Sequence, residues 1–131
     1  MQTEETKKVV LVAVSDVFFY TKIRDALLPQ GYALERVRSQ EDVLTKGGTV
    51  GPVAMILNMN DEKLNAFHAL EQVRRDHVLN LLPVLAFANH EEVDAWKRAK
   101  DLGVNKIVSR NEFSSRTRAL VEELIGSGNQ S

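Results

Sequence analysis

The sequence predicts an α/β domain in which five parallel strands form one sheet with helices on both faces. Two patterns indicate this class. The short apolar runs are continuous rather than alternating, as in strands that are covered on both faces. A segment with helical periodicity follows each run, and parallel strands require such crossover connections. The predicted architecture is a doubly wound, three-layer (βα)5 sandwich, and its functional site is expected at the carboxyl ends of the strands.

The first half of the chain contains two predicted strand–helix units. Proline and glycine mark the ends of both helices, and Ser39 with Asp42 three residues later is a helix-start signal. In chain order the predicted elements are strand 9–14, a helix from Val17 that ends at Pro29 and Gly31, strand 32–37, and helix 40–46, which ends at Gly47 and Gly48.

The second half contains three more units. Asn89 is a plausible N-cap for the fourth helix, and Gly103 ends it. The predicted elements are strand 53–57, helix 64–75, strand 83–87, helix 91–102, strand 106–109 and helix 114–125.

Length and composition are those of one ordinary globular domain. The 131 residues are 44% hydrophobic and 27% charged, and none is cysteine, which favours a cytoplasmic setting without disulfides. No apolar run is long enough to span a membrane, and residues 1–8 do not resemble a signal peptide. The net charge of −1 predicts no general attraction to nucleic acid or to anionic membranes. We expect a disordered tail over 1–7, one domain over 8–125 and a tail or linker over 126–131.

Polar or small residues stand where four of the predicted strands end. They are Ser15 and Asp16 after the first strand, Asn58 after the third, Ala88 after the fourth and Arg110 after the fifth.

With these residues at the ends of the predicted strands, residues 8–125 resemble the receiver domains of bacterial response regulators. The segments NMNDEKLNAFHALEQVRR and LPVLAF follow the pattern of that family without a gap. The resemblance implies the flavodoxin-like fold and a role in two-component signal transduction.

The reactive residues of the family are mostly replaced in this chain. A receiver domain has acidic residues at the places of Ser15 and Asp16, and a phosphorylated aspartate at that of Asn58. It has threonine or serine where Ala88 stands, and lysine followed by proline where Arg110 and Asn111 stand; Ile107 occupies the place of the switch aromatic. An amide is not a nucleophile comparable to a carboxylate, so the resemblance implies a pseudo-receiver that is not phosphorylated.

The sequence therefore favours a non-enzymatic interaction module without a metal or cofactor. The expected partner is a signalling protein, or a second copy, bound through the fourth helix, fifth strand and fifth helix. The candidate contacts on that face are Trp96, Lys97, Lys106, Arg116 and Arg118. The alternative function is a sensor that binds a small molecule or anion in the former phosphorylation pocket, with Arg110 as the recognition group.

Three further features have simpler interpretations. Asp61 is expected in a loop, directed away from the pocket, and the glycine-rich stretch 46–51 lacks the ending of a phosphate loop. His68, His77 and His90 do not have metal-ligand spacing. Because Asp16 and Arg110 are the opposite charges nearest the pocket, they are expected to form an ion pair across it.

Overall fold

The computed structural model of the protein describes residues 7–128 and contains one sheet of five parallel strands. Their order across the sheet is β2-β1-β3-β4-β5. The predicted fold class is thereby confirmed. The expected terminal tails lie outside the described residues, apart from Lys7 and residues 126–128. The strands are β1 (Val9–Ala13), β2 (Ala33–Arg36), β3 (Ala54–Asn58), β4 (Val84–Ala88) and β5 (Lys106–Ser109).

Helices cover both faces of the sheet. Two of them, α1 and α5, pack on one face, and the other three pack on the opposite face. None of the helices within residues 7–128 is long and apolar enough to cross a membrane. The helices are α1 (Val17–Leu27), α2 (Gln40–Val50), α3 (Ala66–Arg75), α4 (Val93–Asp101) and α5 (Arg110–Gly128).

Strand β3 lies at the centre of the sheet and is buried on both faces. Met55 and Leu57 pack in the core beneath α2, α3 and α4, while Ala54 and Ile56 pack in the core beneath α1 and α5. Period-two alternation thus sends successive apolar side chains to opposite cores. The strand extends one residue further than predicted, so Asn58 belongs to it and ends it at the carboxyl edge of the sheet.

Side-chain caps begin helices α1, α2 and α3. Asp16 caps α1, and Asn65 caps α3 by accepting a hydrogen bond from the backbone N–H of His68 at 3.0 Å. The predicted Ser39–Asp42 signal is confirmed, because Ser39 Oγ accepts from the N–H of Asp42. The hydrogen bond from the backbone N–H of Arg38 lowers the pKa of Asp42 below its usual value.

Helix α2 passes through both glycines at which its end was predicted, so that boundary was wrong. It continues to Val50 and ends at Gly51, whose φ of 60° is left-handed. Gly47 is closely packed: a Cβ atom there would be 2.8 Å from Cδ1 of Leu79 in the α3–β4 loop and 3.3 Å from Cδ1 of Leu11 in β1. Close packing of helix on sheet therefore overrides the low helix propensity of the glycine pair.

The starts of α4 and α5 were also predicted wrongly. Asn89 does not cap α4; its side chain accepts from the N–H of Glu91, and α4 begins at Val93. Helix α5 begins at Arg110, directly after β5, rather than at residue 114. It bends at Arg116, whose φ and ψ are −132° and 29°. Around this bend three side-chain hydroxyl groups donate hydrogen bonds to backbone carbonyls, those of Ser114, Ser115 and Thr117.

The two glycines of α2 provide a matched test of this packing. A Cβ at Gly48 would meet no atom within 4 Å. We expect Gly48→Ala to raise the free energy of unfolding by about 0.5–1 kcal/mol through helix propensity. Gly47→Val should lower it by about 1–3 kcal/mol through overpacking. Urea unfolding measures both, and equal effects from the two variants would contradict the close helix–sheet contact.

Candidate functional site

The carboxyl ends of the strands surround a cleft of about 250 Å³. Four of the five predicted pocket residues line it, and Ala88 is fully buried beneath it. The charged groups at the cleft are two cations and two carboxylates. Its lining residues are Ser15, Asp16, Phe19, Asn58, Asn60, Glu62, Lys63 and Arg110.

Asn58 is held at the base of this cleft with 7% of its surface exposed. Its side-chain Oδ1 accepts a hydrogen bond from the backbone N–H of Asn60 at 2.9 Å. Its backbone carbonyl accepts from the N–H of Asp61 at 3.1 Å. The amide Nδ2 donates to no group among residues 7–128, so this N–H₂ remains available to a molecule in the cleft.

Asp61 is directed toward the first strand's loop, so the prediction that it points away from the pocket was wrong. One carboxylate oxygen accepts from the N–H of Ser15 at 2.7 Å, and the other accepts from the Ser15 hydroxyl at 2.8 Å. The backbone N–H groups of Lys63 and Leu64 also donate to this carboxylate, each at 2.9 Å. Asp61 thus joins the β1–α1 loop to the β3–α3 loop, a contact between distant parts of the chain that local sequence patterns do not reveal.

Asn60 makes a second connection, from the β3–α3 loop to the β4–α4 loop. Its Oδ1 accepts from the N–H of Asn89, and its Nδ2 donates to Glu92, both at 2.8 Å. The indole N–H of Trp96 donates to the carbonyl of Asn89 at 3.0 Å. Trp96 is half-buried against the core, which favours a packing role over that of an exposed partner contact.

The expected ion pair between Asp16 and Arg110 is not formed among the described residues. The Asp16 carboxylate accepts from the N–H of Phe19 at 3.1 Å as the N-cap of α1. The guanidinium of Arg110 instead lies over the ring of Phe19, 5.6 Å from its centroid. Capping satisfies the carboxylate locally, and a cation–π contact holds the arginine, so neither side chain needs the other.

The other predicted partner contacts differ in whether they form ion pairs with side chains of the same helix. Lys97 and Lys106 are exposed on α4 and β5. Arg116 forms ion pairs with Glu112 at 2.9 Å and Glu123 at 2.7 Å, and Arg118 pairs with Glu122 at 3.3 Å. These two arginines are therefore already engaged within α5.

Within residues 7–128, no three histidine, aspartate or glutamate side chains cluster as metal ligands. His68 and His90 each lie beside a neighbouring glutamate, at 3.8 and 4.0 Å. All three histidines are exposed, and they lie on separate elements.

Comparison with known proteins identifies the fold. No protein-family model and no curated protein matches the sequence. Several solved structures do match closely in shape. A signal receiver domain of a histidine kinase from Syntrophus aciditrophicus has a TM-score of 0.81 at 13% identity, over 95% of this chain and 94% of that one.

Two further structures agree with this result. The phosphorylated cyanobacterial phytochrome response regulator RcpA has a TM-score of 0.77 at 17% identity, over 92% of this chain and 96% of that one. The receiver domain of the sensor histidine kinase PA1611 from Pseudomonas aeruginosa PAO1, with magnesium in its cleft, has a TM-score of 0.78 at 14% identity, over 92% and 98%. The protein therefore has the flavodoxin-like fold of receiver domains.

The bridge between Ser15 and Asp61 can be tested by unfolding. Asp61→Ala removes the acceptor of four hydrogen bonds, and we expect the free energy of unfolding to fall by about 1.5–3 kcal/mol. Glu62→Ala, at the exposed neighbour, should change it by less than about 0.5 kcal/mol. Urea denaturation of both variants makes the comparison, and an equally small effect at Asp61 would argue against the bridge.

Proposed function

We propose that this protein is a degenerate receiver domain of two-component signalling, a pseudo-receiver that binds a protein partner without being phosphorylated. The observation that carries this proposal is the buried amide of Asn58 at the end of β3, within a receiver fold. Under this proposal Asn58 stands at the position of the phosphorylated aspartate, as the resemblance of the sequence to receiver domains implies.

Chemistry at Asn58 supports the proposal. Transfer of a phosphoryl group to a receiver requires an ionised carboxylate that attacks phosphorus and forms an acyl phosphate. The amide of Asn58 has no ionised oxygen that could attack phosphorus, and its oxygen already accepts a hydrogen bond from Asn60. Ala88 offers no hydroxyl that could bond to a phosphate.

The oxygen atoms near the cleft do not fit magnesium. This ion prefers several oxygen ligands in octahedral geometry. The carboxylate of Asp61 accepts four hydrogen bonds from protein donors, and that of Asp16 caps α1. Ser15 and Asn58 are neutral, and the carboxylate of Glu62 shares the cleft with the cations Lys63 and Arg110, so little net negative charge is available to bind a divalent cation.

A binding role agrees with these losses better than a catalytic one. The protein would act in the cytoplasm as a non-enzymatic module over residues 8–125. Its partner surface would include α4, β5 and α5, where Lys97 and Lys106 are exposed. A signalling protein or a second copy of the chain would bind there, and neither nucleic acid nor membrane is expected to.

Phosphorylation gives the first test of this function. After incubation with acetyl phosphate and Mg²⁺, the intact mass of the protein should be unchanged, because Asn58 cannot form an acyl phosphate. RcpA, whose phosphorylated form is known, is the positive control for the reagent. Addition of one phosphoryl group to this chain would refute the proposal.

The same experiment continues with capture of a partner from native cytosol. A protein retained by the parent, with or without acetyl phosphate, should be lost with Lys97→Glu/Lys106→Glu. Arg75→Glu, at an exposed position on α3, is the matched control and should retain it. A partner that binds only after treatment with acetyl phosphate would contradict phosphorylation independence.

The free Nδ2 of Asn58 favours a second candidate function, an anion sensor. This N–H₂ shares the cleft with the side chains of Lys63 and Arg110. A thermal-shift screen of small anions, with chloride as the reference salt, should then find one that raises Tm. Arg110→Ala should abolish that shift, and a shift that persists in this variant would exclude Arg110 as the recognition group.

A further inference from the structure

Two of the polar side chains that line the cleft are already bonded within the protein. The hydroxyl of Ser15 donates to Asp61, and the amide of Asn60 uses both its oxygen and its nitrogen to bond to the β4–α4 loop. The polar lining groups that remain for a ligand are the Nδ2 of Asn58, the carboxylates of Asp16 and Glu62, the ammonium of Lys63 and the guanidinium of Arg110.

The amide of Asn58 gives the cleft a hydrogen-bond donor in a fixed direction. Its oxygen accepts from the N–H of Asn60, so a rotation that exchanged oxygen and nitrogen would set two donors against each other. Nδ2 is therefore held toward the cleft, although the residue has only 7% of its surface exposed. Within residues 7–128 this N–H₂ has no acceptor. Because an unpaired polar group in such a place costs free energy, it favours a ligand with an oxygen atom.

The four charged groups of the cleft do not pair with one another. Asp16 caps α1, Arg110 lies over the ring of Phe19, and neither Glu62 nor Lys63 forms an ion pair within residues 7–128. Two cations and two carboxylates thus share one cleft with their charges balanced but separated. A simple anion would be attracted by the cations and repelled by the carboxylates, whereas a ligand with charges of both signs can satisfy all four groups.

The size and lining of the cleft favour a small polar ligand. Its volume of about 250 Å³ is below the roughly 300–1,000 Å³ of pockets that hold drug-sized molecules. Phe19 is the one apolar residue of the lining, and only 6% of its surface is exposed. The cleft therefore offers little apolar surface to a large hydrophobic molecule.

We propose that the cleft binds a small free α-amino acid as its zwitterion. The ligand carboxylate would accept hydrogen bonds from Nδ2 of Asn58 and from the cations Lys63 and Arg110. The ligand ammonium would donate to Asp16 and Glu62, so that both ends form charge-assisted hydrogen bonds. This proposal names the ligand class of the second candidate function, on which it rests, and it does not depend on whether a protein binds the α4–β5–α5 face.

The test is isothermal titration calorimetry of the full chain with each of the protein amino acids, and with acetate, sulfate and phosphate as simple anions. At least one amino acid should bind, more tightly than any of the simple anions. Its N-acetyl derivative lacks the ammonium group, and its primary amide lacks the carboxylate. Each derivative should bind about tenfold or more weakly, because each loses the charge-assisted hydrogen bonds of one end.

Charge variants of the cleft should affect two ligands in opposite directions. Arg110→Gln should weaken binding of the amino acid several-fold. Asp16→Asn/Glu62→Gln should weaken the amino acid but strengthen acetate, because only positive charges are then left in the cleft. Asparagine retains an oxygen that can cap α1, so this variant should stay folded, as circular dichroism checks. Glu41→Gln, at an exposed position of α2 outside the lining, is the matched control and should leave the affinity unchanged.

The other outcomes overturn the inference. Binding of simple anions but of no amino acid would retain the anion sensor and reject only this ligand class. An N-acetyl derivative that binds as tightly as the free amino acid would do the same. Absence of binding by both kinds of ligand would reject the sensor as well, without bearing on the protein partner. An amino acid whose affinity is unchanged in folded Arg110→Gln and Asp16→Asn/Glu62→Gln would bind outside the cleft.

Discussion

Burial of β3 between two helical layers is the constraint on which the remaining structure depends. Because both faces of the strand are covered, its apolar residues alternate between two cores, and no polar side chain fits until the strand ends. Asn58 is that end. Its backbone is fixed by the sheet, with a hydrogen bond from Met59 to the carbonyl of Phe87 just beyond it. The position of the cleft, and of the loops around it, follows from this strand.

Hydrogen bonds within the protein hold those loops together. Asp61 connects the β1–α1 and β3–α3 loops, and Asn60 connects the β3–α3 and β4–α4 loops. Most of the atoms involved are neutral amides and backbone groups, and the carboxylate of Asp61 is surrounded by donors. A magnesium ion with a carboxylate cluster would supply strong charge at such an edge. Here directional hydrogen bonds hold the loops together.

This arrangement leaves two places at which a partner or ligand could find fixed side chains. The α4–β5–α5 face presents Lys97 and Lys106, and Trp96 beneath it secures the preceding loop. The cleft presents the amide of Asn58, whose direction is fixed by Asn60. The cleft adjoins the carboxyl edge of the sheet, whereas Lys106 begins β5 at the opposite edge. Under the proposed function, specificity would arise from shape and charge, without a covalent signal.

The sequence by itself determined the fold class, the order of the strands and helices, and the residues at the strand ends. Continuous apolar runs and helical periodicity are local patterns, so they can be read from the sequence without the three-dimensional structure. Only the tertiary structure decided that α2 passes through Gly47, that Asp61 turns toward Ser15, and that Arg110 lies on Phe19 rather than beside Asp16. Each of these depends on contacts between residues far apart in the chain, whose geometry is set when the layers pack.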